Sequence, residues 1–164
     1  MIDSDAHVER TIRRRVFAGW SVEIPPTFAE TFVDDGSYWH SSDEVRSISF
    51  SSIVLSDAQG PVSAARIVRE LPSLEGTPLE ELPAGLSGQA VTCPAPQPAK
   101  AGRMLSGMLA VDGRLLIATI TSDDLDWARR VWRSIRSHER GNRALMRSAA
   151  QPHPQRVRTT RTTR

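Results

Sequence analysis

An Asp-Gly dipeptide at residues 112 and 113 separates two strongly apolar stretches, and this pattern constrains the fold more than any other part of the chain. Residues 104–111 precede the dipeptide and residues 115–121 follow it. Asp-Gly favours a two-residue type I′ turn, in which both central residues need a positive φ. The pattern therefore predicts a β-hairpin. Because both flanks are apolar nearly throughout, we expect its strands to be covered on both faces.

A helix is predicted directly after this hairpin, over residues 123–137. Thr121-Ser122-Asp123-Asp124 supplies oxygen atoms that can cap the first turn, and its carboxylates lie where the helix dipole is positive. The apolar residues that follow recur at helical spacing and form one stripe. They are Leu125, Ala128, Val131, Trp132 and Ile135. We therefore expect Trp132 to be buried against the sheet.

The first sixty residues read as a meander of short strands. Trp20, Val22 and Ile24 alternate with polar residues until two prolines stop the pattern. In the longest strand, serines occupy most of one face, and Ser51-Ser52 interrupts the alternation as a β-bulge would. The predicted strands cover residues 20–24, 37–40 and 45–55, with a turn at 34–36.

The middle of the chain predicts a helix, a loop and a strand. The helix runs from Pro61, a residue suited to the first helical position, to Leu71, and Pro72 ends it. Residues 73–85 are rich in Gly and Pro and form the loop, with one helical turn at 79–81, and residues 86–93 form the strand. The predicted fold class is therefore α+β, with a mostly antiparallel sheet of five or more strands flanked by two or more helices.

The net charge of +2 conceals a division of the chain. Residues 138–164 contain seven arginines and one glutamate, a net charge of +6, whereas residues 1–137 carry 14 basic and 18 acidic groups, a net charge of −4. We predict a polar leader over 1–14, with a short helix ending at Arg13-Arg14-Arg15, and an α+β domain over 15–137. The arginine-rich tail over 138–164 is predicted to be disordered beyond about Arg147, because it has little apolar surface to bury.

The composition also indicates a compartment and a source. Cys93 is the single cysteine, so the chain cannot form an internal disulfide and gives no sign of secretion. No apolar stretch has the length of a signal peptide or a membrane span. We therefore expect a cytoplasmic protein. Lys100 is the only lysine among 21 basic residues, a bias that is common in high-GC bacteria and indicates a bacterial source.

The order of these elements resembles the PsbP-like fold family, which includes photosystem II extrinsic subunits, Ran-binding proteins, mycobacterial lipoproteins and DcrB-like bacterial adaptors. Those domains often begin with a strand, a proline and an aromatic residue, here Val22-Glu23-Ile24-Pro25-Pro26-Thr27-Phe28. They end on a helix that closes with Ser-Ile-Arg, here residues 134–136, and the resemblance covers residues 16–137. This chain has Pro-Thr-Phe where Gly-Trp often follows the proline, and it has no lipobox. The resemblance implies a domain that binds partners rather than catalysing a reaction.

Tyr38, Trp39 and His40 are the candidate partner-binding residues. Tyr38 and His40 share one face of a strand and Trp39 takes the other. The alternative, which we favour, is that these rings pack beneath a helix or a neighbouring strand, because aromatic side chains dominate core burial. His40 could act as a general base, and Cys93 with His40 could form a nucleophile–base pair, but a buried structural thiol explains Cys93 better. We predict no catalytic residue, metal ligand or cofactor.

Three classes of function are compatible with the sequence, and we rank them as follows. The first is a non-enzymatic adaptor or chaperone-like module that binds a protein partner, with strand addition to the sheet edge as one mode. The second is a nucleic-acid-associated protein that acts through its basic tail, which could also contact an anionic membrane but has no aromatic residues for base stacking. The third is a small enzyme, which ranks last because no constellation of residues supports it.

Overall fold

The computed structural model describes residues 9–17, 19–32, 37–96 and 101–138. The first eight residues of the predicted leader, the predicted turn at 34–36 and residues 139–164 of the tail lie outside this range. The described strands are β1 (Ile12–Phe17), β2 (Trp20–Ile24), β3 (Ala29–Phe32), β4 (Tyr38–Ser42), β5 (Ser47–Val54), β6 (Ser56–Asp57), β7 (Gly60–Pro61), β8 (Thr77–Pro78), β9 (Ser87–Pro94), β10 (Arg103–Val111), β11 (Arg114–Thr121) and β12 (Arg136–Ser137). The described helices are α1 (Ala64–Arg69) and α2 (Leu125–Ser134).

One large antiparallel sheet dominates the fold. Its seven strands lie in the order β3-β4-β5-β11-β10-β9-β8, and every neighbouring pair is antiparallel. A smaller sheet has the order β1-β2-β12, and β6 pairs with β7. The predicted, mostly antiparallel sheet of five or more strands is confirmed, and the sheet with its two described helices is compatible with the α+β class.

The hairpin predicted around Asp112-Gly113 is confirmed, but its turn type is not. Strands β10 and β11 pair continuously from Met104 opposite Thr121 to Val111 opposite Arg114. Gly113 has a φ of +77°, whereas no described non-glycine residue, Asp112 included, has a positive φ, which excludes a type I′ turn.

Contacts from an earlier part of the chain hold this turn. The Gly113 N–H donates to the Val62 carbonyl at 2.7 Å, and the Gly113 carbonyl accepts from the Leu55 N–H at 2.8 Å. The Asp112 carboxylate accepts from the Ala64 N–H at 3.0 Å. The turn therefore bonds to a distant segment on both sides, which the local sequence pattern does not encode.

The two faces of the large sheet are covered unequally. One face packs against α2 and the small sheet, and it holds the main core. The opposite face is covered by α1 only near the hairpin turn, where Ile67 packs with Ala110 and Leu115. The expectation that the hairpin is covered on both faces therefore holds at its turn end alone. The main core includes Val22, Ile24, Trp39, Ile48, Phe50, Leu105, Leu109, Leu116, Ile120, Val131 and Trp132.

Helix α2 packs on the centre of the sheet through Trp132. Its indole is fully buried, and its Nε1–H donates to the Glu81 carbonyl at 2.8 Å. A Cβ atom on Gly107 of β10 would lie 2.3 Å from the Trp132 ring, so only glycine leaves room for the indole here. The predicted burial of Trp132 against the sheet is confirmed.

The boundaries of both helices differ from the prediction. Asp124 caps α2 by accepting from the Trp127 N–H at 2.9 Å, but the helix ends at Ser134, because the following residues pair with β2 as β12. The predicted extension to residue 137 is therefore wrong. Pro61 is not the first residue of α1, because it pairs with Ser56 in a strand, and the helix begins only after Ser63 caps it.

Three smaller predictions are also wrong. Strand β1 replaces the short helix expected to end at Arg15, because its backbone pairs with β2. Strand β5 pairs with both neighbours without a register shift, so Ser51-Ser52 forms no bulge, and the irregularity lies in β1 between Arg15 and Phe17. Residues 79–81 make no helical turn, because the Leu79 N–H donates to the Ala90 carbonyl of β9.

The contact between Gly107 and Trp132 yields a test by double-mutant cycle. Trp132→Ala should lower the free energy of unfolding by about 3–5 kcal/mol, because it removes a large core ring. Gly107→Ala should cost about 1–3 kcal/mol through overpacking. In the Trp132→Ala background, however, Gly107→Ala should cost much less, because the indole that meets the new methyl group is gone. Urea denaturation of the four proteins measures this coupling, and additive effects would contradict the proposed contact.

Candidate functional site

The structure separates the three candidate residues on β4. Trp39 is fully buried, its ring centroid lies 5.3 Å from that of Phe50, and its Nε1–H donates to Glu30 at 3.2 Å. Tyr38 and His40 are half-buried on the opposite side of the strand. The predicted division of the three rings between two faces is confirmed. Trp39 therefore belongs to the core, and only Tyr38 and His40 remain available to a partner.

Tyr38 and His40 belong to a polar part of the sheet that we call the open face. It is the region opposite α2 that α1 leaves uncovered. In register across β4, β5, β11 and β10, its side chains carry mainly hydroxyl groups and are all half-buried. They are Tyr38, His40, Ser47, Ser49, Ser51, Ser106, Thr119 and Thr121. The prediction that the serines of β5 form the polar face of a strand is confirmed.

Cross-strand hydrogen bonds organise these hydroxyl groups. The Ser49 hydroxyl accepts from the Tyr38 hydroxyl at 3.0 Å and lies 2.9 Å from Nδ1 of His40. One row further along β5, the Ser47 and Thr121 hydroxyls bond to each other. Such pairs stabilise a sheet and fix side-chain positions, so the open face presents an ordered array of donors and acceptors.

The contact between Ser49 and His40 has the distance of a nucleophile–base pair but lacks the rest of a catalytic site. Acyl-transfer chemistry needs donors aimed at a developing oxyanion, usually free backbone N–H groups. Ser49 lies in the middle of β5, which pairs with strands on both sides, so the sheet uses the nearby N–H groups. Ser49 and His40 therefore form a hydrogen-bonded pair without the neighbouring donors that acyl transfer uses.

Cys93 and His40 are not brought together. Cys93 is half-buried in β9, and β10, β11 and β5 separate it from β4. At about 4.8 Å per strand, the separation is roughly 19 Å, which is too far for proton transfer between the two side chains. Within the described residues, no group of three or more His, Cys, Asp or Glu side chains could hold a metal ion.

Strand β3, which ends the sheet next to β4, was not predicted as a strand. All four of its residues are exposed, and in the described part of the chain no strand pairs with its outer edge. Thr31 lies opposite His40 on the open face, and Phe32 lies opposite Trp39 with 52% of its surface exposed. An exposed edge of this kind can pair with another chain.

A second polar cluster, centred on Arg46, was missed by sequence reasoning. Its guanidinium forms two hydrogen bonds of 2.8 Å with the Glu9 carboxylate and also bonds Asp43. The guanidinium carbon lies 5.2 Å from the centroid of the Phe28 ring and 4.8 Å from that of the Trp127 ring. Because these five residues come from distant parts of the chain, no local pattern identifies the cluster. It joins residue 9 to the β4–β5 turn and to α2.

The contacts of this cluster favour the charged forms of Glu9, Asp43 and Arg46. Hydrogen bonds from Arg46 lower the pKa of Glu9 against the opposing effect of burial. Burial opposes ionisation of Asp43, but hydrogen bonds from the Val45 N–H and from Arg46 outweigh it and lower the pKa of Asp43. Hydrogen bonds to Glu9 raise the pKa of Arg46. Both carboxylates therefore bond Arg46, and these bonds connect residue 9 to the β4–β5 turn.

Comparison with known proteins gives no assignment, because no protein-family model and no curated protein matches this chain. The resemblance to the PsbP-like family therefore stays a prediction. In the described part of the chain, no helix is long and apolar enough to cross a membrane.

The Arg46 cluster predicts a definite dependence of stability on pH. A carboxylate whose pKa is lower in the folded state than in the unfolded state stabilises the fold above its unfolded pKa, near 4, and this contribution is lost as the pH falls through the folded value. The urea midpoint should therefore decrease between pH 7 and pH 3, and Arg46→Met should lower it at pH 7 and reduce that decrease. Arg66→Met is the control, because Arg66 pairs only with exposed carboxylates and should change little. An equal pH dependence in wild type and Arg46→Met would refute this role.

Proposed function

We propose that this chain is a non-enzymatic bacterial adaptor of the PsbP-like type that binds an extended segment of a protein partner along strand β3. The observation that carries the proposal is the exposed outer edge of β3, beside the hydroxyl groups of the open face. Strand addition to such an edge is a common mode of peptide recognition, in which backbone bonds supply affinity and side chains supply specificity. The cytoplasm, as expected from the sequence, is the proposed location.

The backbone hydrogen bonds at the edge of β3 cannot hold a partner without additional contacts from side chains. In a four-residue strand, two residues direct their N–H and C=O groups outward, which allows four new hydrogen bonds. At a net of about 0.5–1.5 kcal/mol each, these bonds contribute about 2–6 kcal/mol. Association costs about 4–15 kcal/mol, so the backbone alone cannot give stable binding. The nearest side chains that can anchor a partner are Phe32 on one face of the sheet and Tyr38 and His40 of β4 on the other.

Phe32 and the exposed residue Val54 provide a matched pair of variants. Val54 is 74% exposed in β5, which lies inside the sheet, so it is a control for the loss of an exposed apolar side chain. Once a partner has been co-purified from the native host, Phe32→Ser should weaken its binding about tenfold, equivalent to about 1.4 kcal/mol, and Val54→Ser should not. Calorimetric titration measures both affinities. If the two variants bind the partner with equal affinity, Phe32 is not part of the interface.

Proline substitutions test the backbone edge itself. Successive N–H groups of a strand point to opposite sides, so of Glu30 and Thr31 one directs its N–H toward β4 and the other toward solvent. Proline removes the N–H. One of Glu30→Pro and Thr31→Pro should therefore damage the pairing with β4 and lower the melting temperature. The other should keep the pairing with β4 and lose the partner. Glu30→Ala is the reference for the stability of Glu30→Pro, because both variants lose the carboxylate that bonds Trp39 and Arg14. If the variant that keeps the pairing binds the partner as wild type does, strand addition at β3 is wrong.

The nucleic-acid alternative makes a separate prediction. The small sheet carries Arg15 and Arg136 beside Arg13, which pairs with Glu23, and this excess of basic side chains is the observation in its favour. However, residues 1–137 carry a net charge of −4, which opposes the approach of phosphates. We therefore expect no appreciable affinity for duplex or single-stranded DNA at physiological salt, measured by fluorescence anisotropy. Tight binding that weakens steeply with added salt would place the nucleic-acid function first. The small enzyme stays the third alternative.

A further inference from the structure

A groove lies at the edge of the large sheet remote from β3. It is formed by residues 73–82 packed beside β9, and we call it the loop groove; its volume is about 380 Å³. Leu74, Leu79 and Leu82 line it and are each half-buried, so part of their apolar surface faces solvent. Glu80 also lines the groove, and Glu75 directly follows Leu74. The loop groove thus combines leucine side chains with the polar side chains of Ser73, Gln89 and Glu80, and Glu75 adjoins it in the sequence.

The sequence around the loop groove carries mainly negative charge. Between Arg69 and Lys100 the sequence contains four glutamates and no basic residue. Two of these glutamates are neutralised, since Glu70 pairs with Arg66 and Glu81 with Arg133. Glu75 and Glu80 are exposed and form no ion pair with any residue that the structure describes. A ligand for the loop groove should therefore carry apolar side chains between positive charges.

The tail of the chain contains a segment with this chemistry. In Arg143-Ala144-Leu145-Met146-Arg147, two adjacent apolar side chains lie between two arginines. Leucine and methionine suit a leucine-lined groove, and methionine adapts to irregular apolar surfaces. The arginines can form charge-assisted hydrogen bonds with carboxylates. The segment and the loop groove are therefore complementary in both polarity and charge.

Helix α2 contacts the groove-forming segment shortly before the described chain ends. The Glu81 carbonyl accepts from Trp132 of α2, and the Glu81 carboxylate lies 3.4 Å from Nε of Arg133, so the C-terminal half of α2 contacts one end of the groove-forming segment. The chain is then held once more, where the His138 N–H donates to the Gly19 carbonyl at 2.7 Å. Six residues lie between His138 and Leu145, and the seven links of the chain can span at most about 25 Å. Leu145 follows Trp132, which bonds the groove-forming segment, by only 13 positions in the sequence.

We propose that residues 143–147 dock in the loop groove of the same chain. Leu145 and Met146 cover the leucines, and Arg143 and Arg147 pair with Glu80 and Glu75. Because the segment is tethered, its effective concentration at the groove is in the millimolar range, so even a weak contact is populated. This inference is independent of partner binding at β3, which lies at the opposite edge of the sheet.

Paramagnetic relaxation in the full-length protein tests the docking. A nitroxide is attached at Ser148→Cys in a Cys93→Ser background, and the amide signals of the isotope-labelled protein are recorded. We expect broadening over residues 73–82 and 87–91. The broadening should fall several-fold in Glu75→Gln/Glu80→Gln and, independently, in Leu145→Ser/Met146→Ser, whereas Glu44→Gln/Asp126→Asn, which removes the same number of carboxylates elsewhere, should retain it. Added salt should weaken it, because the charges of Glu75 and Glu80 are exposed.

Three results would overturn the proposal. The first is the absence of broadening in the loop groove. The second is broadening that spreads over all acidic surfaces and responds equally to both charge variants, which would indicate non-specific attraction. The third is broadening that persists in mixtures of nitroxide-labelled and isotope-labelled molecules and vanishes on dilution, which would assign the groove to the tail of a second copy. Unchanged signal dispersion in each variant verifies that it remains folded.

Discussion

The packing of Trp132 on Gly107 is the contact on which the arrangement of the fold depends. The indole lies where a side chain on the interior strand β10 would otherwise stand, so α2 approaches the sheet more closely than any other residue at position 107 would allow. The same side chain bonds to the Glu81 carbonyl and so holds the segment before β9. Because α2 continues directly into β12, which pairs with β2, the position of the small sheet also follows from this contact.

The unequal covering of the large sheet explains the chemistry of its two faces. On the face that α2 and the small sheet cover, the strands contribute Ile, Leu, Phe and Trp side chains, and the burial of these side chains stabilises the fold. On the open face, polar side chains instead form hydrogen bonds with one another across strands, as Ser49 does with Tyr38 and His40. Their hydrogen bonds leave the face ordered without another layer of structure. A polar sheet surface of this kind can remain hydrated until a partner covers it.

Local patterns predicted the elements whose stability is mostly local. The hairpin at Asp112-Gly113, the capped stripe of α2 and the serine face of β5 each follow from turn chemistry, capping or alternation within a few residues. The same reasoning placed Tyr38 and His40 on one face and Trp39 on the other. The favoured prediction that these rings pack within the domain is correct for Trp39, whereas Tyr38 and His40 are only half-buried because α1 leaves their part of the sheet uncovered.

The missed features depend on contacts between distant parts of the chain. Pro61 suits a helix start by its own geometry, yet it lies in a strand because the segment around it bonds to the hairpin turn at Gly113. Strand β12 interrupts a helical pattern because β2 supplies its hydrogen bonds. The Arg46 cluster joins Glu9, Phe28 and Trp127 across more than a hundred residues. In each case tertiary contacts outweigh local preference, which single-sequence reasoning cannot evaluate.

The two outer strands of the large sheet differ in a way that limits assembly. Strand β8 has only two residues, one of them Pro78, which has no N–H to donate, so this border resists the addition of further strands. Strand β3 has four residues and no proline. A sheet with one receptive border and one blocked border cannot propagate into a fibre. Two copies that met through β3 would leave only the β8 borders of their large sheets, so edge-to-edge growth of the large sheet would stop at two copies.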